Sequence, residues 1–203
     1  MGTRDNLFET VSAERSLELL RDGNKRYLSG TSLLAVATSQ MRRDLSEKGQ
    51  FPFAAVLSCS DSRVPPEIVF DVSLGQLFTV RTAGHIADPV TIGSIEFAVS
   101  SLKTNLVLVL GHDKCGAVKA AVSGAKCNSN IDAVIEAIKP AVEIAYKNVG
   151  DDEICACCED EHVRQTAARL AESAVLKERL DDGTLKIVCA KYMLESGEVI
   201  FFE

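Results

Sequence analysis

The chain has 203 residues, of which 46% are hydrophobic and 25% are charged, a balance typical of one globular domain with a substantial core. Its formal net charge is −7 and it contains no basic stripe, which argues against a phosphate-backbone partner, so we expect no nucleic acid among its partners. It has no apolar run long enough to span a bilayer and no apolar signal region in residues 1–10, so we expect a cytoplasmic protein without membrane association.

The predicted elements begin with two helices. Apolar and charged residues alternate with a helical period over residues 12–28, and Gly30 ends this pattern. Residues 40–48 predict a second, shorter helix that Gly49 ends.

Five short apolar runs follow, and each predicts a strand: 53–58, 77–81, 106–110, 185–190 and 199–202. Runs that are apolar on both faces are typical of a parallel sheet covered on two sides. Helical patterns separate the runs, over 90–102, over 131–148 with an interruption at Pro140, and over 161–179. The face of the first of these patterns that we expect to be buried consists of Ile92, Ile95, Phe97, Ala98 and Leu102.

The alternation predicts an α/β fold, with a mostly parallel central sheet of about five strands flanked by helices. The segment Glu195-Ser196-Gly197 reads as a hairpin turn, which makes the last run an antiparallel edge strand. We found no repeat, low-complexity stretch or linker, so we expect a single domain, 1–203.

Chemically active side chains follow two of the predicted strands. Cys59 comes directly after the run 53–58, and His112 follows the run 106–110, with Cys115 three residues later. The carboxyl ends of the strands are where open α/β sheets bind ligands. Zinc takes thiolate sulfur and imidazole nitrogen readily, and three such ligands leave its fourth position open. The spacing indicates a zinc site, although three buried core residues at strand ends fit it as well.

The segments around these residues resemble the beta-class carbonic anhydrases. Cys59-x-Asp61-x-Arg63 followed by His112-x-x-Cys115 is similar to the paired signature of that family. The surrounding stretches are similar too, namely CSDSRVPPEIVFD, LFTVRTAG, GSIEFAV, LVLVLGHDKCGAVKAA and the C-terminal GTLKIVCAKYMLESGEVIFFE. The similarity covers nearly the whole chain after the first residues.

The resemblance implies one zinc ion per chain, held by Cys59, His112 and Cys115, and the reversible hydration of carbon dioxide to bicarbonate and a proton by a zinc-bound hydroxide. It makes Asp61 and Arg63 the catalytic pair, a carboxylate and a guanidinium at alternate positions, with Asp61 accepting a hydrogen bond from the hydroxide. It also implies that Asp61 is able to leave Arg63 at lower pH and close the site as a fourth zinc ligand.

Further roles follow from the resemblance alone. Gln50 lies where one subtype of the family donates a glutamine from the neighbouring subunit to the substrate. Phe78, Ala83 and Phe97 lie where the family places the apolar wall of the substrate cleft. The family also implies a homodimer or a higher even oligomer, with residues 1–50 as an N-terminal helical arm that contributes to the dimer.

Some residues depart from the family pattern. One subtype has an inhibitory bicarbonate site that includes a tryptophan and a glycine, and Val56 and Ser58 stand at those positions in this tryptophan-free chain. We therefore expect no such inhibitory site. His85 stands where the family more usually has asparagine; a proton shuttle is one reading, and we favour a tolerated substitution.

The cluster of Cys155, Cys157, Cys158 and His162 has the composition of a second metal or redox site, but it falls between the helical patterns and we interpret it as having no such function. Two alternatives to carbon dioxide hydration remain on the same residues. One is a carbonyl sulfide or carbon disulfide hydrolase on the same scaffold. The other is a non-catalytic zinc protein in which Asp61 locks the metal.

Overall fold

The computed structural model describes residues 9–31 and 37–202. The proposed arm of residues 1–50 is thus described in part, since residues 1–8 and 32–36 lie outside these ranges. It contains helices α1 (Ala13–Ser29) and α2 (Ser39–Lys48). The Ser12 side chain accepts a hydrogen bond from the Arg15 N–H at the start of α1, and Gly30 ends α1 with a φ of 66°, a conformation that favours glycine.

A five-stranded sheet lies at the centre of the molecule. Its strands are β1 (Ala54–Cys59), β2 (Leu77–Thr82), β3 (Leu106–His112), β4 (Lys186–Tyr192) and β5 (Val199–Phe201). Their spatial order is β2-β1-β3-β4-β5, and only the pairing of β4 with β5 is antiparallel. Every residue of β1 and β3 is buried, as expected for strands covered on both faces. The predicted α/β fold is confirmed.

The remaining helices are α3 (Pro66–Val69), α4 (Pro89–Ser100), α5 (Gly116–Val122), α6 (Ile131–Asn148), α7 (Ile154–Ala171) and α8 (Ala174–Asp181). Two predictions about them are wrong. Helix α6 continues through Pro140, because this proline is exposed and water is able to satisfy the carbonyl that it leaves unbonded. The pattern predicted as one helix over 161–179 forms two, since α7 starts earlier and Ser173 caps a separate α8.

Helices cover both faces of the sheet. Helix α1 packs on one face of the sheet. It also lies close to the end of α3, since a Cβ added to Gly23 would be 1.9 Å from the carbonyl oxygen of Phe70. Helices α4, α7 and α8 cover the other face. Among the described residues, none of the helices combines the length and apolar character needed to cross a bilayer.

One buried amide ties α1 to the end of the chain. The Asn24 side chain donates to the carbonyl oxygens of Val69 at 3.1 Å and Gly197 at 2.9 Å, and it accepts a hydrogen bond from the Val199 N–H at 3.0 Å. All polar atoms of this 5% exposed side chain are therefore used. The contact fixes α1 against α3 and the β4–β5 hairpin.

Candidate metal centre

The carboxyl ends of β1 and β3 lie side by side at the topological switch point of the sheet. The chain continues from β1 to β2 on one side and from β3 to β4 on the other. In open α/β sheets a ligand crevice forms at this position. Cys59 is the last residue of β1 and His112 is the last residue of β3, so the strands themselves bring these two side chains together.

Cys115 completes a three-residue cluster. It is the N-cap of α5, and the ligand atoms of Cys59, His112 and Cys115 all lie within 4.8 Å of one another. The three residues are only 5%, 1% and 2% exposed. In the described part of the chain, no other group of three or more His, Cys, Asp or Glu side chains is arranged so that it could hold a metal ion. The structure thus brings together the three side chains that the sequence singled out.

The His112 ring is oriented to leave one nitrogen free. Its Nδ1 lies 2.8 Å from the Asp113 carbonyl oxygen, which only accepts, so Nδ1 carries the hydrogen and donates it. Its Nε2 is buried and has no hydrogen-bond partner. A buried lone pair without a partner costs free energy, and a metal ion removes that cost. Two sulfurs and this nitrogen are the donor set of a zinc site with a fourth position open.

The two sulfurs influence each other's ionisation. Their interaction lowers the pKa of Cys59 to about 4 and, together with burial, raises the pKa of Cys115. The Gly84 N–H also donates to the Cys59 Sγ at 3.4 Å. Metal ligation requires thiolates, and the lowered pKa of Cys59 favours the thiolate form of that residue.

Asp61 and Arg63 form a bidentate pair beside Cys59. The Arg63 Nε and backbone N–H donate to the Asp61 Oδ1, each at 2.9 Å, and the Arg63 Nη2 donates to the Oδ2 at 2.7 Å. These bonds hold the pKa of the Asp61 carboxyl well below its usual range, although partial burial works in the opposite direction. In this arrangement Asp61 faces Arg63 and does not belong to the three-residue cluster.

Sequence reasoning missed Arg81, which holds the segment between Cys59 and Asp61. Its Nε donates to the Cys59 carbonyl oxygen at 3.0 Å, and its Nη2 donates to the Asp61 carbonyl oxygen. The register explains this contact, because Arg81 pairs with Ser58, one residue before the last pair, Cys59 and Thr82, of the parallel β1–β2 ladder. The available signal was a single charged residue near the end of a strand that has no other charged residue.

The residues expected at the substrate cleft do not form a cluster as tight as that of Cys59, His112 and Cys115. The rings of Phe78 and Phe97 lie 6.2 Å apart between their centroids, and Ala83 is exposed in a short 3-10 turn after β2. Phe97 is 51% exposed, so the prediction that it belongs to the buried face of α4 is wrong. Gln50 lies on the surface between α2 and β1.

The two remaining histidines form a buried pair. The rings of His85 and His162 lie 4.6 Å apart between their centroids, and burial lowers the pKa of each. Both rings therefore remain uncharged at neutral pH.

The cluster of Cys155, Cys157, Cys158 and His162 lies within α7, and not between helices as the sequence suggested. These four residues form no metal-binding group in the described part of the chain. His162 nevertheless reaches the loop that carries Gly84, since its Nε2 lies 2.7 Å from the Gly84 carbonyl oxygen.

Comparisons with known proteins agree with this geometry. The sequence model of the family described as carbonic anhydrase matches residues 54–199. Carbonic anhydrase 2 of Mycobacterium tuberculosis is 39% identical over 188 residues, covering 89% of this chain and 88% of that protein. A carbonic anhydrase of Mycolicibacterium smegmatis is 40% identical over 185 residues, with the same coverage of 89% and 88%.

Solved structures share the fold. The beta-carbonic anhydrase CcaA superposes with a TM-score of 0.74 at 26% identity, covering 94% of both chains. A tetrameric beta-carbonic anhydrase of Sordaria macrospora gives a TM-score of 0.74 at 20% identity, covering 93% of this chain and 97% of that one. The chain therefore belongs to the beta class of the carbonic anhydrases, the enzymes that interconvert carbon dioxide and bicarbonate.

Proposed function

We propose that this chain hydrates carbon dioxide reversibly to bicarbonate and a proton at one zinc ion per chain, held by Cys59, His112 and Cys115. The observation that carries the proposal is the convergence of these buried ligand atoms within 4.8 Å at the switch point of the sheet. The free Nε2 of His112 supports it, because that nitrogen has no other partner. When bound, zinc would supply a Lewis acid that lets a water molecule lose a proton near neutral pH and so become nucleophilic enough to attack carbon dioxide.

Asp61 and Arg63 direct the attack. Arg63 keeps the Asp61 carboxylate ionised and fixed in direction through three hydrogen bonds. An ionised carboxylate only accepts hydrogen bonds, so Asp61 would accept a hydrogen bond from the attacking oxygen and orient a lone pair of that oxygen toward the carbon of the substrate. Release of Asp61 from Arg63 would free the carboxylate to turn toward the metal and block the open position.

An apolar cleft suits a small nonpolar gas. The partly buried ring of Phe78 and the exposed ring of Phe97, together with Ala83, offer carbon dioxide an apolar wall. Gln50 is exposed in this chain, so its side chain is accessible to the site of a second subunit, as the resemblance implies.

A homodimer or a higher even oligomer supplies that subunit. Two features of the surface support assembly: strand β2 lies at an edge of the sheet, and the neighbouring α4 exposes Val90 and Phe97, which are 78% and 51% exposed. We further propose a single domain, 1–203, whose residues 1–50 form an arm that contacts the partner. A cytoplasmic location suits the seven cysteines, all of which are free thiols.

Stopped-flow carbon dioxide hydration over about pH 6.5 to 9, with the zinc content measured on the same samples, tests the proposal. Cys59→Ala should lose both zinc and activity. Cys127→Ala is the matched control, because Cys127 is an exposed loop thiol, and it should keep both. If the fully zinc-loaded wild type is inactive at every pH, the proposal fails, and carbonyl sulfide hydrolysis is the next activity to assay.

A further inference from the structure

The N-terminal half of α7 carries buried polar residues that the zinc chemistry does not use directly. Glu159 and His162 lie three positions apart on the helix, so they share one face. They are 6% and 3% exposed, although helix surfaces normally place such side chains in water. Each contacts a backbone group next to a thiolate ligand.

Glu159 contacts the loop of Cys115. Its Oε1 accepts a hydrogen bond from the Cys115 backbone N–H at 3.2 Å. Its Oε2 lies 2.8 Å from the Nζ of Lys191, which is itself only 8% exposed. Lys191 stands on β4 opposite Gly111, the residue before His112 in β3. The carboxylate thus connects the Cys115 loop to α7 and to the strand beside the histidine ligand.

Lys191 has a fixed position of its own. Its Nζ also lies 2.9 Å from the Asp160 Oδ1 and donates to the Ala156 carbonyl oxygen at 3.4 Å. A buried ion pair contributes little to stability relative to apolar residues of the same size, so stability alone does not explain its presence here. The ion pair instead orients Glu159. Because Lys191 holds the Oε2 of Glu159, the Oε1 stays fixed toward the Cys115 N–H.

His162 contacts the loop beside Cys59. A carbonyl oxygen only accepts, so the His162 Nε2 carries the hydrogen that it donates to the Gly84 carbonyl oxygen at 2.7 Å. The N–H of the same Gly84 donates to the Cys59 Sγ. Gly84 adopts a φ of 67°, and a Cβ there would lie 3.0 Å from Ile138 Cδ1, so the loop depends on glycine. The imidazole therefore fixes the residue whose N–H reaches the sulfur.

We propose that Glu159, with Lys191, and His162 are positioning residues that set the two thiolate ligands, Cys115 and Cys59, for zinc. Glu159 acts through the backbone of Cys115, and His162 acts through Gly84. This inference rests on the proposed zinc function, since it concerns the ligands of that metal. Hydrogen-bond partners of metal ligands commonly change metal affinity by about 10-fold to 100-fold when they are removed.

A matched pair of double variants isolates the Glu159 contact. Glu159→Gln with Lys191→Met removes both charges but keeps a carbonyl oxygen that is able to accept the Cys115 N–H. Glu159→Leu with Lys191→Met removes the charges and this acceptor together. Both lose the same ion pair, so a difference between them reports the hydrogen bond to Cys115. His162→Gln and His162→Leu form a second pair, since the Gln amide is able to donate to Gly84 as the imidazole does.

The readouts are the rate of zinc release to a coloured chelator and the thiolate-to-metal absorption of the cobalt(II)-substituted protein, with circular dichroism to establish folding. We expect the two Leu variants to release zinc about tenfold faster or more and to shift the cobalt spectrum, and the two Gln variants to stay close to the wild type. The inference is overturned if folded Leu and Gln variants release zinc at the same rate with the same spectrum. If one Leu variant does not fold, the other pair decides.

The two proposals fail in different ways. A wild type that binds no zinc would end the proposed function. A zinc-loaded, active wild type whose folded Leu variants match it in both readouts would end only the positioning role of α7.

Discussion

Gly111 lies against Val163 so closely that a Cβ added to the glycine would be 2.3 Å from the valine Cγ2. This contact joins β3 to α7 one residue before the proposed ligand His112. The absence of a side chain at Gly111 therefore lets α7 approach the sheet and reach the proposed metal site.

Gly111→Ala should reduce the free energy of unfolding by about 1–3 kcal/mol, because the added methyl group overlaps a β-branched side chain with little freedom to rotate. Urea unfolding at a fixed protein concentration measures this. Val163→Ala provides the space, so the double variant should be more stable than the sum of the two single effects predicts. Additive effects would show that the methyl group is accommodated elsewhere.

Arg63→Gln should make stability less sensitive to acid. Because Arg63 lowers the pKa of Asp61 in the folded state, their interaction stabilises the protein fully above roughly pH 4 and is lost as the pH falls further. The Arg63 side chain is 54% exposed, so we expect the contribution to be at most about 1 kcal/mol. Urea unfolding of zinc-free samples above and below this pH measures the difference. Arg169→Gln, which breaks the exposed pair with Glu172, is the control, and an equal effect there would contradict a special role for Arg63.

Removal of zinc should lower the thermal midpoint. A ligand that binds only the folded state stabilises it by about 4 kcal/mol when its free concentration is a thousand times Kd. Thermal unfolding with added zinc or added chelator measures the shift. Cys115→Ala should remove the response to zinc, whereas Cys189→Ala should keep it, because Cys189 lies on β4 outside the ligand cluster. A zinc response retained by Cys115→Ala would place the metal elsewhere.

Mixing two impaired variants tests whether Gln50 serves a neighbouring site. Gln50→Ala should have reduced activity and Cys59→Ala should have none. In a mixed dimer, one site combines intact ligands from the first chain with Gln50 from the second. Random pairing makes half of the dimers mixed, with one complete site of two, so about a quarter of wild-type activity should return. Activity no higher than the average of the two variants would confine Gln50 to its own chain.

The sheet was predictable because its strands carry a local signal. The runs that became β1 and β3 are almost wholly apolar, and every residue of these strands is buried, as is typical where both faces of a sheet are covered. The proposed ligands followed from the same signal, since Cys59 and His112 stand at the ends of those strands. The ends of α1 could also be predicted from the sequence, because Ser12 and Gly30 cap the helix through local contacts.

The start of α7 and the roles of Glu159 and His162 were not predictable in this way. Their partners lie 44 and 78 residues away in the sequence, so no local pattern marks them. A buried glutamate and a buried histidine also weaken the apolar stripe by which an amphipathic helix is recognised. The prediction for Phe97 was wrong for a different reason. Its apolar character suggested burial, but the structure places it on the surface.

The amide of Asn24 has a consequence for the order of folding. Its oxygen accepts from the Val199 N–H, 175 residues later, so α1 cannot complete its docking before the C-terminal hairpin has left the ribosome. Until then the apolar face around Leu20, fully buried in the finished protein, remains exposed on the nascent chain. Docking of α1 is therefore a long-range step of folding, since it depends on contacts between segments that lie far apart in the sequence.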